Sequence, residues 1–137
     1  MDQSEKKQFN EQIRERTIIM AVNVRKMLMS TEVKSIDRPI INQLIRSSSS
    51  VAANYRSATR GRSDAEFYSK ICIVVEESDE TLFWIDYLIR INVLEEKESE
   101  QLRNEIEQLV RLFSSIKRKM KEKIETTGKC EVLNVKS

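Results

Sequence analysis

Three carboxylates in one short stretch, Glu76, Glu77 and Glu80, are the residues best placed to do chemistry, with Asp79 and Asp86 close by. On a helix, Glu76 and Glu80 (i, i+4) and Glu77 and Glu80 (i, i+3) share a face. Helical bundles that hold two metal ions use such carboxylates, and so do general acid–base pairs. The di-iron bundles also need Glu-x-x-His from two helices, and this chain of 137 residues has no His. A carboxylate-only magnesium site is the metal reading that survives. The plainer expectation is that these acids pair with Arg46, Arg56 and Arg60, or with another subunit. No metal, no cofactor and no catalytic residue is assigned.

The missing residue types exclude further chemistry. Without His there is no Ser–His–Asp or Cys–His nucleophile and no imidazole ligand. Cys72 and Cys130 lie far apart with no CxxC pair, which reads as two reduced thiols and not as a zinc site or disulfide framework. Two Gly in the whole chain cannot build the Gly-rich loops that cradle phosphates. The first residues hold no apolar h-region, so no signal peptide is expected, and no run reaches the ~18 apolar residues of a membrane span. A non-enzymatic, cytoplasmic protein that does not enter the membrane is the expectation.

The elements that must carry these residues follow from periodicity. Two Gly and one Pro are too few for the turns of a β-sandwich or barrel, and 34% charged residues favour long solvated helices. Helix one is expected over about 4–30, with Phe9, Ile13, Met20, Ala21, Val24, Met27 and Leu28 at helical spacing. Helix two spans about 37–60, capped by Asp37, with Pro39 in its first turn and Gly61 at its C-terminal cap. Its stripe is Ile40, Ile41, Leu44, Ile45, Ser48, Val51, Ala52 and Tyr55. Ser63-Asp64-Ala65-Glu66 is a capping box that opens helix three, about 64–91. Its stripe runs from Phe67 through Ile71, Val74, Val75, Ser78, Leu82 and Ile85 to Ile89. After a break at Asn92-Val93-Leu94, helix four covers about 95–125, with Leu102, Ile106, Leu109, Val110, Phe113, Ile116, Met120 and Ile124 inward. Residues 126–137 read as a flexible tail. Short links make successive helices antiparallel neighbours, so residues 1–125 form one all-α, up-down-up-down antiparallel four-helix bundle.

Helix three has a second set of large side chains, Ile73, Phe83, Trp84 and Tyr87, away from its buried centre. Helix two has a second face of small or uncharged residues: Ser47, Ser50, Ala53, Asn54 and Ser57. A ridge on one helix and a groove on another favour a heterologous contact between subunits, which closes into a ring. Asn54, Glu76, Glu80 and Trp84 are expected to fix helix two against helix three and the subunit interface.

The net charge of +2 conceals a strong asymmetry. Sorted by bundle end, the chain has one pole of about +5 and an opposite pole of about −4. The basic pole supplies the contact candidates Arg56, Arg60, Arg62, Lys117, Arg118, Lys119, Lys121 and Lys123. Phosphate backbones bind such surfaces by counterion release, without reading bases. A plainer account of the cations in helix four is that they complement its dipole. An adaptor that binds only protein, through the aromatic ridge or the acidic pole, is the second reading.

The order of motifs resembles a known family. Arg14-x-Arg16-Thr17 is followed by Gln43-Leu44-Ile45-Arg46-Ser47 and by Ser50-Val51-Ala52-Ala53-Asn54-Tyr55-Arg56. Arg62-Ser63-x-x-Glu66-Phe67 and Glu76-Glu77-x-x-Glu80-Thr81-x-x-Trp84-Ile85 complete the series. Over about residues 9–120 the chain resembles the four-helix bundle proteins encoded in the intervening sequences of large-subunit ribosomal RNA genes. It is also similar to the accessory variability protein of diversity-generating retroelements. The resemblance implies a homopentameric ring, nucleic-acid binding through basic residues and a protein partner such as a reverse transcriptase. Many members carry a Glu shortly after the Asn, where this chain has Ser57-Ala58.

Overall fold

Helix ends are satisfied locally, and this sets the length of each rod. The computed structural model describes residues 1–136, with side chains through residue 128. It contains α1 (Gln3–Met29), a single 3-10 turn (Ser35–Asp37), α2 (Arg38–Thr59), α3 (Asp64–Arg90) and α4 (Glu96–Lys136). At 1.5 Å per residue, the 27 residues of α1 or α3 make a rod of about 40 Å.

Asp2 caps α1 by accepting the Glu5 N–H at 2.7 Å. The capping box of α3 forms in a shifted version. Ser63 accepts the Glu66 N–H at 3.1 Å, while the Glu66 carboxylate accepts the Arg62 N–H at 2.6 Å and not that of Ser63. At the far end of α3, Asn92 takes φ 62°, the left-handed conformation that Asn tolerates better than most residues. Val93 N–H then donates to Leu88 O at 2.9 Å and Asn92 N–H to Ile89 O at 3.0 Å, the paired bonds of a Schellman end.

Three local expectations are corrected. Asp37 sits at the start of α2 but makes no side-chain cap bond, because the 3-10 turn already holds its backbone in a helical conformation (φ −93°, ψ −5°). Gly61 does not use a left-handed φ. Its value is space: a Cβ there would stand 3.1 Å from Ala58 O. The backbone of α4 continues past Glu125 and through Gly128 to Lys136. A lone Gly weakens a helix without ending it, and no Pro follows. The part of the expected tail beyond Gly128 has no described side chains, and Ser137 lies outside the described residues altogether.

The rods pack as a four-helix bundle. α1 lies along α2, α2 along α3, α3 along α4, and α4 returns to α1, while the diagonal pairs have no close backbone approach and meet through core side chains. Pairings across the seams fall as one helix rises. Arg46 meets Glu80 and Ser57 lies near Ser69, Asp86 meets Arg103 and Asp64 meets Lys123, as antiparallel neighbours require. Leu44, Val51, Ile71, Val74, Ile85, Ile106 and Leu109 are sealed inside. Tyr55 stacks on Phe113 at 5.4 Å and donates its hydroxyl to Asn10 Oδ1 at 3.3 Å. Burial pushes the Tyr55 hydroxyl up to about 12. Among the described residues no helix is long and apolar enough to cross a membrane.

The α2–α3 seam departs from the expected stripes. Ser47 and Thr81 are fully buried there, joined by a 3.0 Å hydroxyl bond, so Ser47 belongs to the interior and not to an outer groove. Two small hydroxyl residues face to face bring these helices close, and each hydroxyl also lies within hydrogen-bond distance of a carbonyl of its own helix, so two protons serve three acceptors in alternation. Ile45, expected inward, is 42% exposed.

Candidate nucleic-acid interface

The start of α1, the end of α2 and the start of α3 converge at the basic pole, and α4 runs past them. One cleft is lined by Lys6 of α1, Thr59 of α2, Arg62 and Asp64 around the start of α3, and Met120 of α4. A second brings Lys6, Lys7 and Arg14 beside Thr59. A third opening is a groove of about 800 Å³ between the end of α2 and the start of α3. Its floor is small, with Ala53, Ser57, Gly61 and Ala65, and its cations are Arg56, Arg60 and Lys70. The close approach of backbone at Gly61 shapes this floor.

The contact candidates fall in two groups. Arg56 and Arg60 stand together in the groove, joined by Lys70, and no side chain of α4 lines it. Lys117, Arg118, Lys119, Lys121 and Lys123 lie on α4, diagonal to α2. The pole is therefore a belt of positive charge and not one patch. Lys117 is half-buried and the other seven candidates are exposed. Among the described residues Lys123 is the one candidate held in an ion pair, with Asp64 at 3.3 Å. Arg56 and Arg60 do not pair with the acids of α3, contrary to the expectation. Glu66, the acid in the groove, is committed to the Arg62 backbone N–H.

Two carboxylates midway along α3, Glu77 and Glu80, are held by Arg46 of α2. Arg46 donates to Glu77 at 3.2 Å and to Glu80 at 2.7 Å, and Trp84 Nε1 donates to Glu80 at 3.2 Å. The Arg46 hydrogen bond holds the Glu80 carboxyl below the usual Glu range. Glu76 is exposed without an ion pair among the described residues, so Glu77 takes the place expected of it. Asn54 bonds only within α2, to Ser50 O and Oγ at 2.9 Å, and does not clamp α3. Among the described residues no three Asp, Glu or Cys side chains gather closely enough to hold a metal ion. Cys72 is a free thiol, and the Cys130 side chain lies outside the described residues.

Phe83, Trp84 and Tyr87 form a three-ring cluster with centroids 4.9–6.1 Å apart. Phe83 is 56% exposed, and Ile73 and Tyr87 are also open. Sequence reasoning missed a second apolar face. Ile18, Ile19 and Val22 of α1 are each nearly half exposed, on the side away from the buried Ile13, Met20 and Val24. The signal was present as the apolar pair Ile18-Ile19 with Val22 four residues after Ile18, hidden beside the stronger core stripe.

The comparisons agree with this architecture. A solved structure of a protein with unknown function from the S23 ribosomal protein family of Bacteroides thetaiotaomicron is similar, with 27% identity and a TM-score of 0.68. The match covers 77% of this chain and 97% of that one. No curated protein matches. The family model described as 23S rRNA-intervening sequence protein matches residues 10–115, most of the chain and all the packed motifs from α1 into α4. The chain therefore belongs to the family of 23S rRNA-intervening sequence proteins.

Proposed function

We propose that this protein is a non-enzymatic, cytoplasmic, ring-forming bundle that binds nucleic acid or a nucleoprotein through its basic pole. The observation that carries the reading is the groove at the end of α2. Arg56, Arg60 and Lys70 line it without carboxylate partners among the described residues, and Ser57 and Ser69 add hydroxyl donors. Unpaired guanidinium and ammonium groups around an open groove suit phosphate oxygens, which need charge and N–H donors but no base edges. Binding of this kind is independent of sequence and steeply weakened by salt.

Self-assembly is supported by the two apolar faces. α1 and α3 are diagonal, so Ile18, Ile19 and Val22 face away from Phe83 and Tyr87. Two different faces on opposite sides join head to tail, a heterologous contact that closes into a ring. A homopentamer matches the family resemblance, and each added subunit extends the positive rim. A reverse transcriptase is the kind of protein partner that the same resemblance points to.

Fluorescence anisotropy with labelled duplex RNA and duplex DNA at low salt tests the reading. Binding is expected for the native chain. It should be abolished by charge reversal at Lys117, Arg118, Lys119 and Lys121, or at Arg56 and Arg60. No binding of either duplex at low salt contradicts it. Salt-insensitive binding to a protein partner favours the adaptor reading, which the exposed Phe83 ridge supports. Light scattering at micromolar concentration should give a mass of several chains, falling to one chain in Phe83→Glu.

A further inference from the structure

The end of the bundle opposite the basic pole holds a pocket of about 490 Å³ with the reverse chemistry. The link after α1, the 3-10 turn, the end of α3 and the first turn of α4 surround it. Four carboxylates line it, Glu32, Asp37, Glu95 and Glu98, against a single cation, Lys34. None of the four is in an ion pair among the described residues. Asp37 is also released from helix capping, since it makes no side-chain cap bond. Its wall includes Met27 and Val93, apolar surface beside the charge.

A second observation is independent of the acids. Ser99 lines the same pocket, is 1% exposed, and its hydroxyl has no hydrogen-bond partner among the described residues. Buried hydroxyls are nearly always satisfied, and an orphan is destabilising until a donor or acceptor reaches it. An ammonium N–H entering between the carboxylates is such a donor.

The ligand class follows from spacing. The acids do not gather closely enough to hold a metal ion. Mg²⁺ demands short, near-octahedral oxygen contacts, so separated carboxylates suit it poorly. A chain with several ammonium groups spaced by methylenes fits all three features. Its charges meet separate carboxylates, its methylenes lie on Met27 and Val93, and one N–H reaches Ser99. We infer that this pocket binds a linear aliphatic polyamine.

Isothermal titration calorimetry of the full chain with spermidine at low ionic strength is the test. One site per chain is expected, with Mg²⁺ at equal concentration competing poorly. Glu32→Gln with Glu98→Gln should weaken binding roughly three- to tenfold, as expected for removing two partly exposed ion pairs. Glu76→Gln with Glu100→Gln makes the same charge change on exposed acids outside the pocket and should leave affinity within about twofold. Ser99→Ala should weaken spermidine binding while raising the melting temperature of the free protein, because it removes the orphan hydroxyl. The inference is overturned by absent binding, by equal weakening in the control pair, or by unchanged affinity in Ser99→Ala. It is also overturned if Mg²⁺ or a pentalysine peptide binds as tightly as spermidine.

Discussion

The middle of the bundle and the open groove and pocket at its two ends treat charge in opposite ways. In the middle, charged side chains are spent on one another: Arg16 with Glu105, Arg46 with Glu77 and Glu80, Arg103 with Asp86 and Glu107, Arg111 with Glu107. Most of these pairs tie one helix to its neighbour. At the ends, Arg56, Arg60 and Lys70 on one side and Glu32, Asp37, Glu95 and Glu98 on the other stay free of ion pairs among the described residues. Charges that pair inside the protomer align helices, and charges left open are available to a partner. Substitutions in the middle should therefore change stability, and substitutions at the ends should change binding.

The largest effect belongs to the core behind the paired charges. Phe113 is fully buried against Tyr55. Phe113→Ala should cost about 3–5 kcal/mol in urea unfolding, since the cavity is walled by rods that cannot collapse onto it. A cost under about 1 kcal/mol would mean that the core is loose there.

Asn92 comes next. Its positive φ closes α3, and Asn pays less for that conformation than Ala does. Asn92→Ala should cost about 1 kcal/mol, and Asn92→Gly should be neutral or stabilising. Equal destabilisation by both would point to the Asn side chain and not to the backbone.

The Arg46 clamp gives a smaller, pH-dependent effect. The Glu80 side chain is 32% exposed, so Arg46→Ala should cost only about 1 kcal/mol at pH 7. The clamp lowers the Glu80 carboxyl value in the folded state. Its stabilisation is therefore fully present above the ordinary Glu value of about 4.3 and is lost as pH falls through the lowered one. The gap between wild type and Arg46→Ala should close under acid conditions. A gap that stays constant from pH 7 to pH 3 would show that the ion pair contributes nothing and that the effect is one of packing.

Much of this architecture was legible in the residue pattern, for reasons that are local. The 3.6-residue spacing of Leu44, Val51 and Tyr55 or of Ile71, Val74 and Ile85 marks a buried face without any tertiary knowledge. Ser63 and Glu66 mark a helix start because the capping bonds span only three or four residues. What stayed hidden depends on contact between helices. Ser47 reads as one more small surface residue until Thr81 of α3 is placed against it. Gly61 reads as a cap until Ala58 O is seen beside it. Sorting charge by pole could not separate the groove of Arg56 and Arg60 from the belt on α4, nor show that α4 runs on past the pole. That separation depends on which helices are diagonal.

The most direct test of the difference between middle and ends is the salt dependence of duplex binding. The logarithm of the binding constant should fall linearly with the logarithm of salt concentration for the native protein. If each of these side chains neutralises one phosphate, as proposed, replacing Arg56, Arg60 and Lys70 with Ala should flatten the slope by about 2–3, while unfolding stability stays within about 0.5 kcal/mol. Arg103→Ala, in the middle, should lower stability and leave the slope unchanged. A slope near zero in the native protein, or an equal flattening by Arg103→Ala, would contradict the account.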